Sequence, residues 1–166
     1  EDDIARLRTS REAVGPSVGL LVDANHAYNA VTAVRMGRMM EELGVLFFEE
    51  PVVPEDREGY RKVRAENPIA VAGGECEFTR YGFRDFIASG CVDIVQPDLA
   101  VCGGFTAFTQ ILALANSWGV ATVPHVWGSG IAVAAALHAV ATIPAFPFTA
   151  NAVPLVNQPV IEFDRK

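Results

Sequence analysis

A chain of 166 residues is long enough to bury a sizeable core, and 51% apolar with 20% charged residues is typical of a soluble globular protein. The net charge of −7 argues against nucleic acid as a partner, because phosphate contacts require clustered Lys and Arg. No apolar run reaches the roughly 20 residues of a membrane span. The acidic start Glu1-Asp2-Asp3 is unlike a signal peptide. We therefore expect a cytoplasmic protein that binds neither nucleic acid nor membranes.

The cysteines and the first residue add two expectations. Cys76, Cys91 and Cys102 are odd in number and lack the C-x-x-C spacing of a zinc site, so we expect reduced thiols. The sequence starts with Glu1 rather than Met, and we expect it to be a fragment of a longer protein.

Short apolar runs, each followed directly by a polar residue, alternate with helical patterns along the chain. Such runs are typical of strands that are buried on both faces of a parallel sheet. The predicted strands lie near 19–23, 45–49, 69–75, 92–98, 120–125 and 159–163. The polar residues at the first five ends are Asp23, Glu49, Glu75, Asp98 and His125. Their spacing fits one strand, one helix and two loops, which predicts βα units in a single α/β domain over residues 1–166.

The predicted helices lie between these strands. A first helix ends at Gly15-Pro16, and Pro54-Glu55-Asp56 carries the proline and acids typical of a helix start. Ile111 and Trp118 belong to the apolar face of a later helix that ends at Gly119. The segment from Gly128 to about Ala141 is apolar on nearly all sides, which predicts a well-buried helix.

The sheet is predicted to close into a barrel. The alternative is an open doubly wound sheet, which would normally carry one glycine-rich phosphate turn, and no G-x-G-x-x-G follows any predicted strand. Consecutive strand ends converge on one point at the C-terminal face of a (β/α)8 TIM-type barrel. We therefore predict a truncated barrel with about six of its eight βα units.

Three strand-end acids predict a metal site. Asp23, Glu49 and Glu75 would face one another, and uncompensated carboxylates repel and raise each other's pKa. A hard divalent cation removes this repulsion, and an all-oxygen ligand set favours Mg²⁺, or Mn²⁺, over zinc. A single strand-end acid is more often a helix cap or part of a surface ion pair. Three acids at matched positions favour metal binding.

The next two strand ends predict a proton-transfer pair. Asp98 and His125 end neighbouring strands, and an Asp against one imidazole nitrogen orients the ring and leaves the other nitrogen ready to exchange a proton. The alternative for a histidine in a barrel is a structural role. His26 follows the first strand and would line the same pocket, whereas His138 lies within the apolar helix as a core or surface residue.

Five short motifs resemble the C-terminal barrel domain of the enolase superfamily, in its mandelate racemase / muconate lactonizing enzyme group. They are Val22-Asp23-Ala24-Asn25, Phe48-Glu49-Glu50-Pro51, Ala72-Gly73-Gly74-Glu75, Gln96-Pro97-Asp98 and Pro124-His125. The resemblance implies that the three acids hold Mg²⁺ and that Asp98 and His125 form a catalytic dyad. It places Glu50 in a supporting role beside the metal, as it does Asn25. It also implies that Glu162, at the end of the last strand, is a catalytic residue that hydrogen-bonds the substrate or its intermediate. Asn25, His26 and Trp127 are predicted to bind the substrate.

The resemblance further implies Mg²⁺-dependent removal of the proton α to a carboxylate, with stabilisation of the enediolate. The substrate would be a small-molecule carboxylate, and the parent protein a homo-oligomer. Longer stretches, such as Cys102-Gly103-Gly104-Phe105, are similar to members that open the lactones of acid sugars. Dehydration of an acid sugar and racemization remain alternatives within the group.

The sequence departs from the group in one respect. The family carries a Lys-x-Lys opposite the histidine, and Lys62 and Lys166 are both misplaced for that role. We also expect the N-terminal capping domain of the family to be missing from this piece. An alternative of another class is therefore a non-catalytic metal-binding fragment.

Overall fold

The computed structural model describes residues 2–144. The helices in this range are α1 (Asp2–Val14), α2 (Ala30–Glu41), α3 (Arg57–Glu66), α4 (Thr79–Ala88), α5 (Gly104–Ser117) and α6 (Gly130–Val140). The strands are β1 (Leu20–Asp23), β2 (Val45–Glu49), β3 (Ala70–Gly73), β4 (Ile94–Val95) and β5 (Ala121–Thr122), in a five-stranded parallel sheet of that order. The predicted α/β class with parallel strands is confirmed. The chain divides into two compact units, residues 1–72 and residues 73–166.

In the first unit, parallel pairing brings the carboxyl ends of two strands level. The register joins Val22 to Phe48 and Asp23 to Glu49, so these two acids stand side by side. Side chains from the strands and from the flanking helices form the core of this unit. They include Ala33, Met40, Phe47, Phe48, Tyr60, Val63 and Val71, each at most 2% exposed. Burial of this apolar surface is the main force that holds the strands in register.

The helix starts in the first unit follow side-chain caps. The Asn29 carboxamide oxygen accepts from the backbone N–H of Thr32 and so starts α2. The Asp56 carboxylate accepts from Gly59 N at 2.8 Å. Asp56 is thus the residue before α3, and Pro54 and Glu55 precede the helix instead of opening it.

In the second unit, β4 pairs with β5 through Ile94 with Ala121 and Val95 with Thr122. The ladder continues beyond the strands, since Val123 N donates to Val95 O at 3.0 Å. The core of this unit is built from two facing helices and the strands. Its fully buried members include Phe83, Phe86, Ile94, Val95, Phe108, Ile111 and Ala115.

Three strands are shorter than predicted, so three predicted site residues lie in loops. Glu75 follows the end of β3 by two residues, and Asp98 and His125 each lie three residues past their strands. At Asp98 the chain turns, because the Asp98 carbonyl accepts from both Val101 N and Cys102 N. Asp98 is therefore the first residue of a turn and not the last residue of a strand.

Three burial predictions are wrong. Leu21 in β1 is 52% exposed, because β1 pairs with a strand on one side only in the described residues. Trp118 is the residue after α5 and is 57% exposed, so the last turn directs it away from the apolar face. In α6, only Ala136 and Ala139 are buried, whereas Ile131 is 83% exposed. An apolar helix is buried all round only where neighbours cover every side.

Two remaining expectations concern the chain ends and the membrane. The predicted strand near 159–163 lies outside the described residues, as does Glu162. None of the helices in residues 2–144 has the length and apolar composition of a membrane span.

Candidate active site

The end of β1 presents an ordered carboxylate. Asp23 Oδ1 accepts from the backbone N–H of Asn25 at 2.8 Å, and the Asn25 side-chain amide donates to Asp23 Oδ2. This Asx turn explains the left-handed backbone of Asn25 (φ 46°), a conformation that Asn tolerates better than most residues. The Asp23 side chain is exposed and has no Lys or Arg partner among residues 2–144. Its oxygens are therefore oriented without being neutralised.

A buried acid follows the neighbouring strand. Glu50 is 1% exposed, and its Oε2 contacts His26 Nε2. The same two residues are linked through the backbone, since His26 N donates to Glu50 O at 2.9 Å. Sequence analysis assigned His26 to the substrate pocket and missed this pairing. The structure places His26 against Glu50, in the loops that directly follow the strand-end acids Asp23 and Glu49.

The backbone in these two loops is strained. His26 has φ 64° and Glu50 has φ 41°, both in the left-handed region that non-glycine residues seldom occupy. Such conformations cost on the order of 1–3 kcal/mol each and persist only where surrounding contacts impose them. Clusters of this kind concentrate at functional sites, which is why the ends of β1 and β2 stand out.

The second unit contains the predicted proton-transfer pair. His125 Nδ1 lies 2.7 Å from Asp98 Oδ2, and His125 Nε2 lies 3.4 Å from Glu75 Oε2. Asp98 is only 5% exposed, and its second oxygen accepts from Ala100 N at 2.6 Å. The imidazole is thus held at both nitrogens by carboxylates, while its side chain keeps 14% exposure.

This arrangement is suited to general acid–base chemistry. A buried carboxylate on Nδ1 fixes the ring orientation and favours the tautomer in which Nε2 exchanges the proton. Nε2 lies on the side of Glu75, one of the predicted metal ligands. The predicted proton-transfer group and one predicted metal ligand therefore lie next to each other in this unit.

The donor set fits a hard divalent cation. Asp23 and Glu49 are neighbours in register at the ends of β1 and β2 in the first unit, so their carboxylates stand side by side. Oxygen ligands of this type are those that Mg²⁺ and Mn²⁺ prefer. Because the Asp23 carboxylate lacks a cationic side chain in the described range, a bound cation would supply the missing charge.

The three remaining residues lie later in the chain, from the loop before α6 onward. Trp127 is 64% exposed, in the loop before α6. His138, which sequence analysis left outside the site as a core or surface residue, is exposed on α6. Glu162 lies outside the described residues.

A cavity of about 240 Å³ opens beside Asp23 in the first unit. The Tyr28 hydroxyl lines it and donates to Asp3 Oδ2 at 2.8 Å. Burial, together with this hydrogen bond, raises the pKa of Tyr28 to about 12. The sequence held no signal for this contact, since it joins α1 to a loop 25 residues later.

Comparison with known families decides the class of this chain. The family model described as "Enolase C-terminal domain-like" matches residues 1–160. The chain belongs to that family. The barrel fold that we predicted is the fold of this enolase C-terminal family, and the sequence resemblance is confirmed.

Two curated relatives of the enolase-family chain act on acid sugars or their lactones. D-galactarolactone cycloisomerase of Agrobacterium fabrum is 45% identical over 165 residues, which cover 99% of this chain and 43% of the relative. Arabinonate dehydratase of Saccharolobus solfataricus is 36% identical over 86% of this chain and 38% of the relative. The chain thus spans about two fifths of the length of these relatives.

A solved structure of the same family adds a metal. The mandelate racemase/muconate lactonizing protein of Paracoccus denitrificans, complexed with magnesium, matches with a TM-score of 0.83 at 38% identity. The match covers 87% of this chain and 39% of that protein. At this identity the likeness extends from the fold to the family.

Proposed function

We propose that this enolase-family chain carries the metal-binding and proton-transfer groups of an enzyme that removes the proton α to a carboxylate. The proposed substrate is a small-molecule carboxylate, an acid sugar or its lactone, and the proposed outcome is cycloisomerization. The observation that carries the proposal is the 2.7 Å contact of His125 Nδ1 with Asp98, on the ring whose Nε2 lies beside Glu75.

We further propose that Asp23, Glu49 and Glu75 hold Mg²⁺, or Mn²⁺ in its place. When bound, the cation supplies the positive charge that stabilises an enediolate. The carboxylate chemistry of the three residues supports this assignment, as does the in-register pairing of Asp23 with Glu49. The Asn25 contacts keep both Asp23 oxygens oriented before any ligand arrives.

The proposed role of His125 follows from its surroundings. Nε2 takes the α-proton, and the electron pair of the broken C–H bond moves into the bond between the α-carbon and the carboxylate carbon. The Asp98 carboxylate accepts from the Nδ1–H and stabilises the imidazolium that forms. The short contact from Ala100 N keeps Asp98 in place during this change.

The later steps distinguish the alternatives. Expulsion of the ring oxygen at the β-carbon opens a lactone, loss of a β-hydroxyl is dehydration, and return of a proton from the opposite face is racemization. The identity to D-galactarolactone cycloisomerase favours the first outcome, and the identity to arabinonate dehydratase supports the second. Substrate contacts by Asn25, His26, Trp127 and Glu162 belong to the same proposal.

Metal binding by the chain tests the first part of the proposal. Calorimetric titration of the chain with Mg²⁺ should give one site, and Asp23→Asn and Glu49→Gln should each abolish it. The matched control is Glu12→Gln, which removes the same charge from an exposed position on α1 and should leave the affinity unchanged. Equal binding by Asp23→Asn and the natural chain would rule out the proposed ligands.

Hydrogen exchange of the substrate tests the second part. Acid-sugar lactones and acid sugars are incubated in D₂O with the chain and Mg²⁺, and incorporation of deuterium at the α-carbon is followed by NMR. We expect exchange that disappears in His125→Asn. Metal binding without any exchange would instead support the non-catalytic metal-binding alternative.

A further inference from the structure

We infer that His26 and Glu50 form a clamp that positions the metal-binding ends of β1 and β2. The inference rests on the proposed function, since it assigns the two residues to Asp23 and Glu49. As members of the clamp, both residues act through the neighbouring acids and not on the reacting atoms, so in this role they are positioning residues. We deduce these roles from the backbone hydrogen bond and the side-chain contact that join the two residues, and from their left-handed backbone conformations.

The first argument is the pattern of backbone hydrogen bonds beyond the strands. Ala24 N donates to Glu49 O at 3.0 Å, His26 N to Glu50 O at 2.9 Å and Tyr28 N to Pro51 O at 3.3 Å. Glu50 N in turn donates to Ala72 O at 3.1 Å. Backbone hydrogen bonds therefore link the loop after β1 to the loop after β2 over several residues. This stretch directly follows Asp23 and Glu49 in the chain.

The second argument is the side-chain contact across the same pair. His26 Nε2 meets Glu50 Oε2, so the two residues are joined once by their backbones and once by their side chains. Glu50 is 1% exposed, and a buried carboxylate needs a polar or charged partner to remain buried. The His26 imidazole lies against this carboxylate, and 28% of the His26 side chain is exposed.

The third argument is strain. Both clamp residues adopt left-handed backbone conformations, which would relax if nothing held them. Relaxation at position 26 would also move Asn25, which orients the Asp23 carboxylate through two hydrogen bonds. Relaxation at position 50 would move Glu49, its neighbour in the chain. The clamp thus fixes both acids through the residues that adjoin them.

The clamp predicts a specific loss of metal affinity. In the full chain, His26→Ala should weaken Mg²⁺ binding about 10- to 100-fold, the range typical for outer partners of metal ligands, and Glu50→Gln should weaken it in the same direction. His26→Gln, which keeps an N–H donor, should restore part of the affinity. The control is Glu12→Gln, which removes a charge from an exposed position on α1 and leaves the clamp intact. It should bind Mg²⁺ within twofold of the natural chain.

A measurement without metal tests the clamp independently of the proposed function. Amide exchange by NMR should become about tenfold faster or more at Ala24 and His26 in His26→Ala and Glu50→Gln, with helix α2 unchanged. Unchanged exchange at these amides would overturn the clamp whether or not Mg²⁺ binds. If the natural chain binds Mg²⁺, Asp23→Asn does not and the clamp variants bind normally, the clamp fails and the proposed ligands stand. If the natural chain does not bind, the proposed ligands fail and the exchange data alone judge the clamp.

Discussion

Asp98 shows how one side chain can carry two tasks. One carboxylate oxygen accepts from Ala100 N at 2.6 Å, and the other meets His125 Nδ1 at 2.7 Å. The first contact fixes the turn after β4, and the second orients the imidazole. Because Asp98 is 5% exposed, both contacts form in a medium that screens them less than water does. The geometry of His125 therefore depends directly on this carboxylate.

Asp98→Asn should reduce α-proton exchange by about 10²- to 10⁴-fold, because an amide cannot stabilise the imidazolium and favours the wrong tautomer. The measurement is deuterium incorporation into the substrate, with Mg²⁺ affinity determined on the same variant. The affinity should stay within twofold, since Asp98 is not among the proposed ligands. Undiminished exchange would show that His125 acts without this partner.

At the scale of the elements, α1 is fastened to its neighbours through Arg11. Its guanidinium donates to the carbonyls of Leu43 at 2.9 Å and of Gly15 at 2.8 Å, and it also reaches Val18 and Gly44. These carbonyls lie at the approach to β1 and at the turn before β2. One side chain thus joins the end of the first helix to the starts of two strands.

Arg11→Ala should lower the free energy of unfolding by about 1.5–3 kcal/mol, the range for hydrogen bonds to a charged group. Arg11→Lys should recover only part of this loss. Its ammonium can still donate to some of the carbonyls, but it cannot reach all of them at once. Urea denaturation provides the measurement. The matched control is Arg8→Ala, at an exposed position on the same helix, which should change stability by less than about 0.5 kcal/mol. An equal effect of both variants would remove the special role of Arg11.

At the scale of the whole molecule, each unit holds one group that links its stability to alkaline pH. Burial raises the pKa of the Cys102 thiol from 9.0 to about 11, although a backbone hydrogen bond with Gly104 opposes the shift. Tyr28 in the first unit is raised from 10.0 to about 12. Both groups are neutral when protonated, so the unfolded chain loses these protons at lower pH than the folded chain.

Stability should therefore fall as the pH rises from about 9 to about 12, in the window that these pKa values set. Chemical denaturation at a series of pH values measures the slope. Tyr28→Phe should flatten the part above pH 10, and Cys102→Ala the part from pH 9 to 11. A slope that is the same in both variants and in the natural chain would assign the alkaline loss to other groups.

The amino-acid sequence alone predicts the fold class and the main candidate residues of the site. Apolar runs that end in polar residues predict buried parallel strands, because a strand covered on both faces must be apolar throughout. The regular spacing of Asp23, Glu49, Glu75, Asp98 and His125 predicts their common edge. The pairing of Asp23 with Glu49 and the contact of His125 with Asp98 agree with that spacing. The enolase family match confirms the resemblance that those motifs suggest.

The surroundings of these residues, by contrast, depend on how the chain packs. The His26–Glu50 pair depends on two left-handed turns, and the Arg11 contacts depend on the approach of segments 32 and 33 residues apart. The exposure of α6 likewise depends on which neighbours reach it, which an apolar sequence does not specify. Hydrophobic periodicity and residue spacing are local properties of the chain, so the strands and the strand-end residues can be predicted from them. Contacts between residues that are distant in sequence depend on the packing of each folded unit. There, the free energy gained by burial offsets the cost of backbone strain, so a local pattern does not reveal these contacts.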